Sequence, residues 1–339
     1  MNRNPITHDN HYVPQFYLKN WSEDGKNLNV YNILVSNGNV PLWSKKAIKH
    51  QAYYRDFYTR DVDGDEKDDI EQWFSNEFES PVKEVIEKVK TNSRLRKMDW
   101  QHLIKFMAAQ QLRTPAKLNE LLARWRTEMP SLFQGELEKI IEKMEKPGFI
   151  PPQINSNLDT NLFPIKVKLE EKSGVITVNS IVGKSMYLFG LKYVLKNTIH
   201  ILNNHQWHIV HAPDEIEWPT SDDPVICLNF YNENNYNFEG GWGKKNGEII
   251  FPLTPKHILY TQIGNSNRRC QLDNSHKYGL LLQKFIIEHA HRYIYAYKPL
   301  KEMQKLRSRK VDPEIYKRER EAFKIWHTEQ TKYEKEILE

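Results

Sequence analysis

The chain has 339 residues, of which 39% are hydrophobic and 12% aromatic, enough apolar material for a sizeable core. Its formal charge of +5, from 49 basic and 44 acidic residues, permits nucleic-acid binding but does not demand it. Cys227 and Cys270 have no CxxC spacing, which argues against a thiolate zinc site and fits a reducing compartment.

The N-terminal residues and the apolar segments indicate where the protein resides. Residues 1–13 contain no apolar block and so lack the hydrophobic centre of a signal peptide. The longest apolar-rich stretch, 181–195, is interrupted by Lys184 and Lys192 and is shorter than the ~20 residues that a spanning helix needs. We therefore expect a cytoplasmic protein with no membrane partner.

The first third of the chain combines an aromatic opening with a hairpin and a helix. The run from His8 to Trp21 is dense in aromatic residues, which indicates a docked terminus. Residues 28–31, followed by a turn signal at 36–39, predict a β-hairpin and thus a small N-terminal sheet. Residues 65–91 have helical spacing and an acidic start, and Pro81 should bend or divide that helix.

The middle of the chain is predicted to be helical. Helices are expected over 98–115, 117–129 and 132–146. The Pro, Asn and Gly content of 147–173 predicts a long loop, which would be the boundary if the chain has two lobes. Residues 179–203 then return to helical spacing.

Beyond Gln206 the pattern changes to short strands, expected over 207–210, 225–228, 249–253, 258–263 and 293–297, with one helix over 275–289. Segregated helices and strands predict an α+β fold, with a helical middle segment, a small N-terminal sheet and a mainly antiparallel C-terminal sheet. We expect residues 1–300 to form a single globular domain and 301–339 a charged C-terminal helix. The apolar stripe of that helix needs a partner, either in its own domain or in a second subunit as a homodimer.

Two predicted helices carry polar residues on their apolar faces. Glu71 lies near the centre of one such face, where a carboxylate must be paired, protonated or functional. Alternatively, Glu71 reaches water or caps free amides in the first helical turn. On the second helix the apolar face also bears Gln110, Gln111 and Thr114. Buried amides need partners, so we predict a polar network joining this helix to Glu71 and Arg113, as a pocket lining or a fold-specifying lock.

Two further segments hold candidate functional groups. Ser221, Asp222 and Asp223 precede a predicted strand, where carboxylates could hold Mg²⁺ or position a water; a plain turn explains them equally. His8 and His11 could serve as general base or metal ligand, or could anchor the N-terminal strand.

Four segments together resemble a mostly bacterial family of unknown function, DUF4238. They are the His11-Tyr12-Val13-Pro14 signature, Phe106 to Pro115, Thr220 to Val225 and Phe251 to Pro255. The family has no agreed activity, so the resemblance implies site positions but no reaction. It favours functional roles for His11, Ser221 and Asp222.

The first hypothesis is an intracellular, metal-assisted hydrolase acting on a phosphate-containing substrate, such as nucleic acid or a nucleotide. A nuclease-like toxin or phage-defence effector would fit it. The residues assigned to its site are His11, Tyr12, Glu71, Gln110, Gln111, Arg113, Ser221 and Asp222.

Each group in this hypothesis has a role. Glu71 and Asp222 would hold Mg²⁺ or Mn²⁺, and His11 would be the base. Arg113 and Gln110 would orient an anionic group. Ser221 would belong to the catalytic set, whereas the amide of Gln111 and the ring of Tyr12 would contact the substrate. The competing hypothesis is a non-catalytic binding or scaffold protein, in which the same polar groups connect the N-terminal sheet to the helices.

Overall fold

The computed structural model describes residues 6–62, 65–144, 146, 165–170, 175–264 and 275–338. Its helices are α1 (Gln15–Leu18), α2 (Asp69–Phe74), α3 (Ser80–Lys90), α4 (Lys97–Leu112), α5 (Pro115–Met144), α6 (Lys184–Asn197), α7 (His276–His289), α8 (Met303–Leu306) and α9 (Pro313–Leu338). Its strands up to residue 180 are β1 (Asp9–His11), β2 (Asn27–Asn32), β3 (Leu34–Val35), β4 (Trp43–Ala47), β5 (Tyr53–Arg55), β6 (Arg60–Val62), β7 (Asp65–Lys67), β8 (Ile165–Glu170) and β9 (Val175–Ser180). The later strands are β10 (Trp207–His211), β11 (Thr220–Ser221), β12 (Ile226–Asn232), β13 (Asn235–Asn237), β14 (Gly247–Thr254), β15 (His257–Gln262), β16 (Tyr293–Ala296) and β17 (Lys310–Val311).

The fold is α+β, as predicted, with an antiparallel C-terminal sheet in the order β10-β15-β14-β12-β13. The hairpin of β2 and β4 does not form a separate sheet. It is extended by β16 and β11 into a four-stranded sheet with the order β11-β16-β2-β4. The β2–β16 pairing therefore joins a strand near the N-terminus to a strand in the C-terminal part of the chain.

The N-terminal segment is docked into the main core. Tyr17 stacks on Phe251 with a ring separation of 5.4 Å, and its hydroxyl donates to the Pro252 carbonyl at 2.7 Å. The indole of Trp21 is fully buried and donates to the Trp218 carbonyl at 2.8 Å. These contacts join the opening residues to the C-terminal sheet.

Two prolines lie within helical segments: the helix is divided near Pro81, as predicted, but not at Pro130. Pro81 lies in the first turn of α3 and has no N–H to donate to a carbonyl of the preceding helical segment. The chain passes from α2 through a π-helical segment, Ser75–Glu79, directly into α3. The prediction of separate helices around Pro130 was wrong, because α5 runs through this residue. Pro130 is exposed, so water can satisfy the carbonyl that loses its helical partner.

The predicted loop at 147–173 was wrong for part of its length. Residues 165–170 form β8, which pairs antiparallel with β9. The expected helix from 179 instead begins at Lys184, because β9 extends to Ser180. Residues 147–164 and 171–173, like Cys270, lie outside the described residues.

The C-terminal helix α9 packs on its own chain. Phe323 stacks on Tyr54 of β5 with a ring separation of 4.0 Å. Arg292 forms a bidentate pair with Glu319, with N–O distances of 2.7 and 2.5 Å. The apolar stripe thus finds at least part of its partner within the chain. Among the described residues, no helix is long and apolar enough to cross a lipid bilayer.

Candidate functional site

Arg113, which directly follows α4, is the centre of a buried polar group. Its Nε and Nη2 donate to Oε1 of Gln110 at 3.1 and 2.9 Å, and Nη1 donates to Oε1 of Glu79 at 2.7 Å. The guanidinium also lies over the Phe74 ring, 5.0 Å from its centroid. The cation is therefore fixed by two polar partners and one aromatic ring.

Gln110 connects this cation to the N-terminal segment. While its oxygen accepts from Arg113, its Nε2 donates to the backbone carbonyl of Tyr12 at 2.8 Å. The Tyr58 hydroxyl donates to the Arg113 carbonyl at 2.6 Å. The polar network predicted on this helix is present, but the carboxylate that bonds Arg113 is Glu79, not Glu71.

Glu71 approaches the same cation without a hydrogen bond. Its Oε2 is buried and finds no hydrogen-bond partner among the described residues. Burial raises the pKa of Glu71 to about 7; the positive charge of Arg113 opposes this, and the carboxylates of Glu79 and Asp68 add to it. At neutral pH both the protonated and the ionised form of Glu71 are therefore populated.

The π-helical segment explains why two glutamates face one arginine. In a regular α-helix, positions 71 and 79 would point about 80° apart. The wider turn at Ser75–Glu79 takes more residues per revolution, which reduces that offset. Glu79 then reaches Arg113 while Glu71 remains close enough for the two charges to interact.

His11 ends β1 and has a defined tautomer. Its Nδ1 lies 3.1 Å from the Gln51 carbonyl oxygen, which can only accept, so Nδ1 carries the proton. Nε2 is then an acceptor, and the side-chain amide of Gln15 donates to it at 2.9 Å. Burial lowers the pKa of His11, as does the charge of Arg113, whereas Asp9 and Glu79 raise it. His11 is thus a neutral imidazole at pH 7, and the contact between its basic nitrogen and Gln15 is exposed.

Ser221 and Asp222 lie in a different hydrogen-bonded environment. The Asp222 carboxylate accepts from the backbone N–H groups of His291 and Arg292, with the shortest distance at 2.9 Å. Burial raises the pKa of Asp222, whereas the charge of His291 and backbone hydrogen bonds at Tyr293 and Arg292 lower it. Ser221 Oγ accepts from the Asp223 N–H at 3.2 Å. Ser221 thus makes a local turn contact, whereas Asp222 accepts from backbone that is distant in the sequence.

Asp223 forms a further polar contact that sequence reasoning did not single out. Thr114 Oγ1 donates to its Oδ1 at 2.9 Å, and Nδ1 of His289 donates to its carbonyl at 3.0 Å. Burial raises the pKa of Asp223, while the charge of His289 and the Thr114 bond lower it. This contact connects the end of α4 to the segment preceding β12.

Gln111 faces away from the arginine. Its amide nitrogen donates to Sγ of Cys227 at 2.9 Å, and its oxygen accepts from the Trp242 indole at 2.6 Å. Burial raises the pKa of the Cys227 thiol to about 12, so this group is a neutral acceptor and no nucleophile.

The structure divides the predicted site into separate environments. We use the name Arg113 cluster for His11, Glu71, Glu79, Gln110 and Arg113, which are connected by hydrogen bonds or by mutual charge effects, with the Tyr12 carbonyl attached. Ser221, Asp222 and Gln111 bond to other groups. In the described ranges, no three His, Cys, Asp or Glu side chains are arranged to hold a metal ion.

Glu79 is the member of the cluster that sequence reasoning missed. At α-helical spacing it falls away from the apolar face, and Arg113 lies 34 positions further along the chain. Glu79 reaches Arg113 only because the π-helical segment before Pro81 changes the helical phase, and the apolar pattern of the sequence does not show this change.

The comparisons with known proteins give a family and nothing closer. No curated protein and no solved structure has significant similarity to this chain. The model of one family, described as a protein of unknown function (DUF4238), matches residues 9–299. This match spans the Arg113 cluster, both main sheets and α7, and it ends before α8. The chain therefore belongs to the DUF4238 family.

Proposed function

We propose that this protein is a hydrolase that uses the Arg113 cluster for general acid–base catalysis. The observation that carries the proposal is the buried, unpartnered carboxyl oxygen of Glu71 beside Arg113 and Glu79. A protein gains no stability from such a group, and residues of this kind concentrate at catalytic sites.

Two groups of the cluster suit the two proton transfers of hydrolysis. His11, neutral and with Nε2 as its basic nitrogen, takes a proton from the attacking water. Glu71 in its acid form donates a proton to the leaving oxygen as the scissile bond breaks. A general acid and a general base are usually recognised as two groups whose surroundings shift their pKa values in opposite directions.

The substrate class proposed is a phosphate ester, including nucleic acid or a nucleotide, which allows a nuclease-like toxin or defence role. Its support is the buried guanidinium of Arg113, which would stabilise charge developing on a phosphoryl group. The roles first proposed for Mg²⁺ or Mn²⁺ at Glu71 and Asp222 are not needed for this chemistry. The Asp222 carboxylate already accepts hydrogen bonds from backbone N–H groups, and Glu71 belongs to a different cluster.

The test is turnover of a chromogenic phosphate monoester and diester, single- and double-stranded nucleic acids, and nucleotides, each with and without Mg²⁺ or Mn²⁺. Glu71→Gln and His11→Asn should each lower kcat/KM at least ~100-fold, the range expected for a general acid or base. The matched control is Glu77→Gln, an exposed glutamate of the same helical segment, which should retain full activity.

The pH profile adds an independent criterion. Activity requires deprotonated His11 and protonated Glu71, so kcat/KM should peak between the lowered pKa of His11 and a pKa of about 7. Full activity in both variants, or no turnover of any substrate in the panel, would contradict the proposal.

A second function, that of a non-catalytic binding or scaffold protein, is favoured by the hydrogen bonds that Arg113 already makes within the protein. Three of its N–H groups already donate to Gln110 and Glu79, and its side chain is 1% exposed. In that case the cluster only joins the N-terminal segment to α2, to the π-helical segment and to the end of α4. Glu71→Gln would then change stability without affecting any reaction.

A further inference from the structure

A cavity of about 310 Å³ lies between α5 and α6 and shares no lining residue with the Arg113 cluster. Its walls are apolar and largely aromatic, with Leu121 and Trp125 from α5 facing Tyr187, Phe189 and Val194 from α6. An apolar cavity of about 150 Å³ can hold benzene, and small-molecule sites begin near ~300 Å³. The volume therefore suits a ligand of two fused rings or a medium-length acyl chain.

The middle of α6 contributes a glycine to the cavity wall. Gly190 lies in the helix interior, where glycine is unfavourable compared with alanine. A Cβ atom at this position would lie 3.3 Å from the ring of Trp125. The missing side chain lets the indole of Trp125 lie close to the α6 backbone, and both residues line the cavity.

Two cations stand at the α5 side of the cavity, and no acidic residue is among its described lining residues. Lys117 and Arg124 are seven residues apart on one helical face, which separates them by ~10 Å. Lys117 is held by Glu120, with N–O distances of 2.7 and 2.9 Å. Arg124 is 3.7 Å from Glu128, and both side chains are about half exposed.

Arg124 is thus the cation available to a ligand. Exposed ion pairs of this length contribute little stability, so the guanidinium can turn from Glu128 to another anion with little loss. Guanidinium groups bind carboxylates through two parallel hydrogen bonds. An apolar cavity with such a group at its edge suits a ligand that has an apolar body and one negatively charged end.

We propose that this cavity binds a small amphipathic carboxylate, with its hydrocarbon body against Trp125 and Gly190 and its carboxylate on Arg124. The site is independent of the proposed hydrolase activity, and its test requires no turnover.

The experiment is isothermal titration calorimetry of the full chain with octanoate, octanol and octyltrimethylammonium, which share one body and differ in charge. Octanoate should bind with one site per chain, octanol at least 5-fold more weakly, and the cation not measurably. Arg124→Gln should weaken octanoate binding at least 5-fold. Lys139→Gln is the matched control: this lysine lies on the same helix, pairs with Glu136 and is outside the cavity, so binding should not change.

Two variants fill the cavity from opposite walls, Gly190→Leu from α6 and Leu121→Trp from α5. Each should abolish octanoate binding, and a retained cooperative melting transition in either one shows that the loss is not unfolding. Absence of octanoate binding to the unmodified protein would overturn the proposal. Undiminished binding in both filled variants, or equal binding of octanoate and octyltrimethylammonium, would do the same.

Discussion

Replacing Glu71 with Gln should stabilise this protein at high pH. The substitution keeps the size of the side chain and removes only its ability to ionise. Burial raises the pKa of Glu71 from its ordinary value of 4.5 to about 7. Between these values the folded state holds the proton more tightly than the unfolded state, so the free energy of unfolding falls as the pH rises through this window.

The magnitude follows from the size of the pKa shift. At about 1.4 kcal/mol per unit, the ionised Glu71 carboxyl lowers the free energy of unfolding by about 3 kcal/mol at pH 8 and by under ~1 kcal/mol at pH 5. Glu71→Gln removes this penalty, because the glutamine side chain does not ionise. The free energy of unfolding of the variant, relative to that of the unmodified protein, should therefore rise by about 2 to 3 kcal/mol between pH 5 and pH 8.

The assay is urea denaturation of both proteins at pH 5, 6, 7 and 8, with the midpoint and the slope reported separately. Glu77→Gln, which removes an exposed carboxyl from the same helical segment, should show no such pH-dependent gain. A variant less stable than the unmodified protein at pH 8 would contradict this prediction. It would mean that the Glu71 carboxylate is a structural partner of Arg113.

Three other substitutions follow from the same contacts. Glu79→Gln removes the ion-pair partner of the buried Arg113 and should lower the free energy of unfolding by about 3 kcal/mol at pH 7 in urea denaturation, opposite in sign to Glu71→Gln. Asp222→Ala leaves the N–H groups of His291 and Arg292 without their acceptor and should lower the melting temperature, with a free-energy loss of about 2 to 4 kcal/mol; an unchanged melting temperature would show that these bonds are dispensable. Phe323→Ala removes the ring stacked on Tyr54 and should speed limited proteolysis within α9 while sparing α4; equal cleavage rates would show that other contacts hold this helix.

The C-terminal strands could be predicted from the sequence because their information is local. Alternating or continuous apolar runs identified β10, β12, β14, β15 and β16 within a few residues. The pairing of β16 with β2 could not be predicted, since it joins segments from opposite ends of the chain. That pairing depends on tertiary packing, which a single-sequence pattern does not contain.

The same distinction applies to the candidate site. Glu71 and Gln110 were identified because each is a polar residue on an apolar helical face, and such a residue is anomalous within its own segment. Glu79 was missed because the π-helical segment changes the phase of the helix before it. Asp222 was assigned to a metal because its carboxylate lies at a strand end; its actual partners are backbone N–H groups about seventy residues later, which have no side-chain signature.

The most direct test of the acid–base account is a carbon-13 NMR titration of the glutamate side-chain carboxyl groups in the unmodified protein and in Glu71→Gln. The account predicts one resonance, missing from the variant, that titrates near pH 7. If the resonance lost in the variant titrates below about pH 5, near the ordinary range of a glutamate, Glu71 is an ordinary carboxylate and the proposed general acid does not exist.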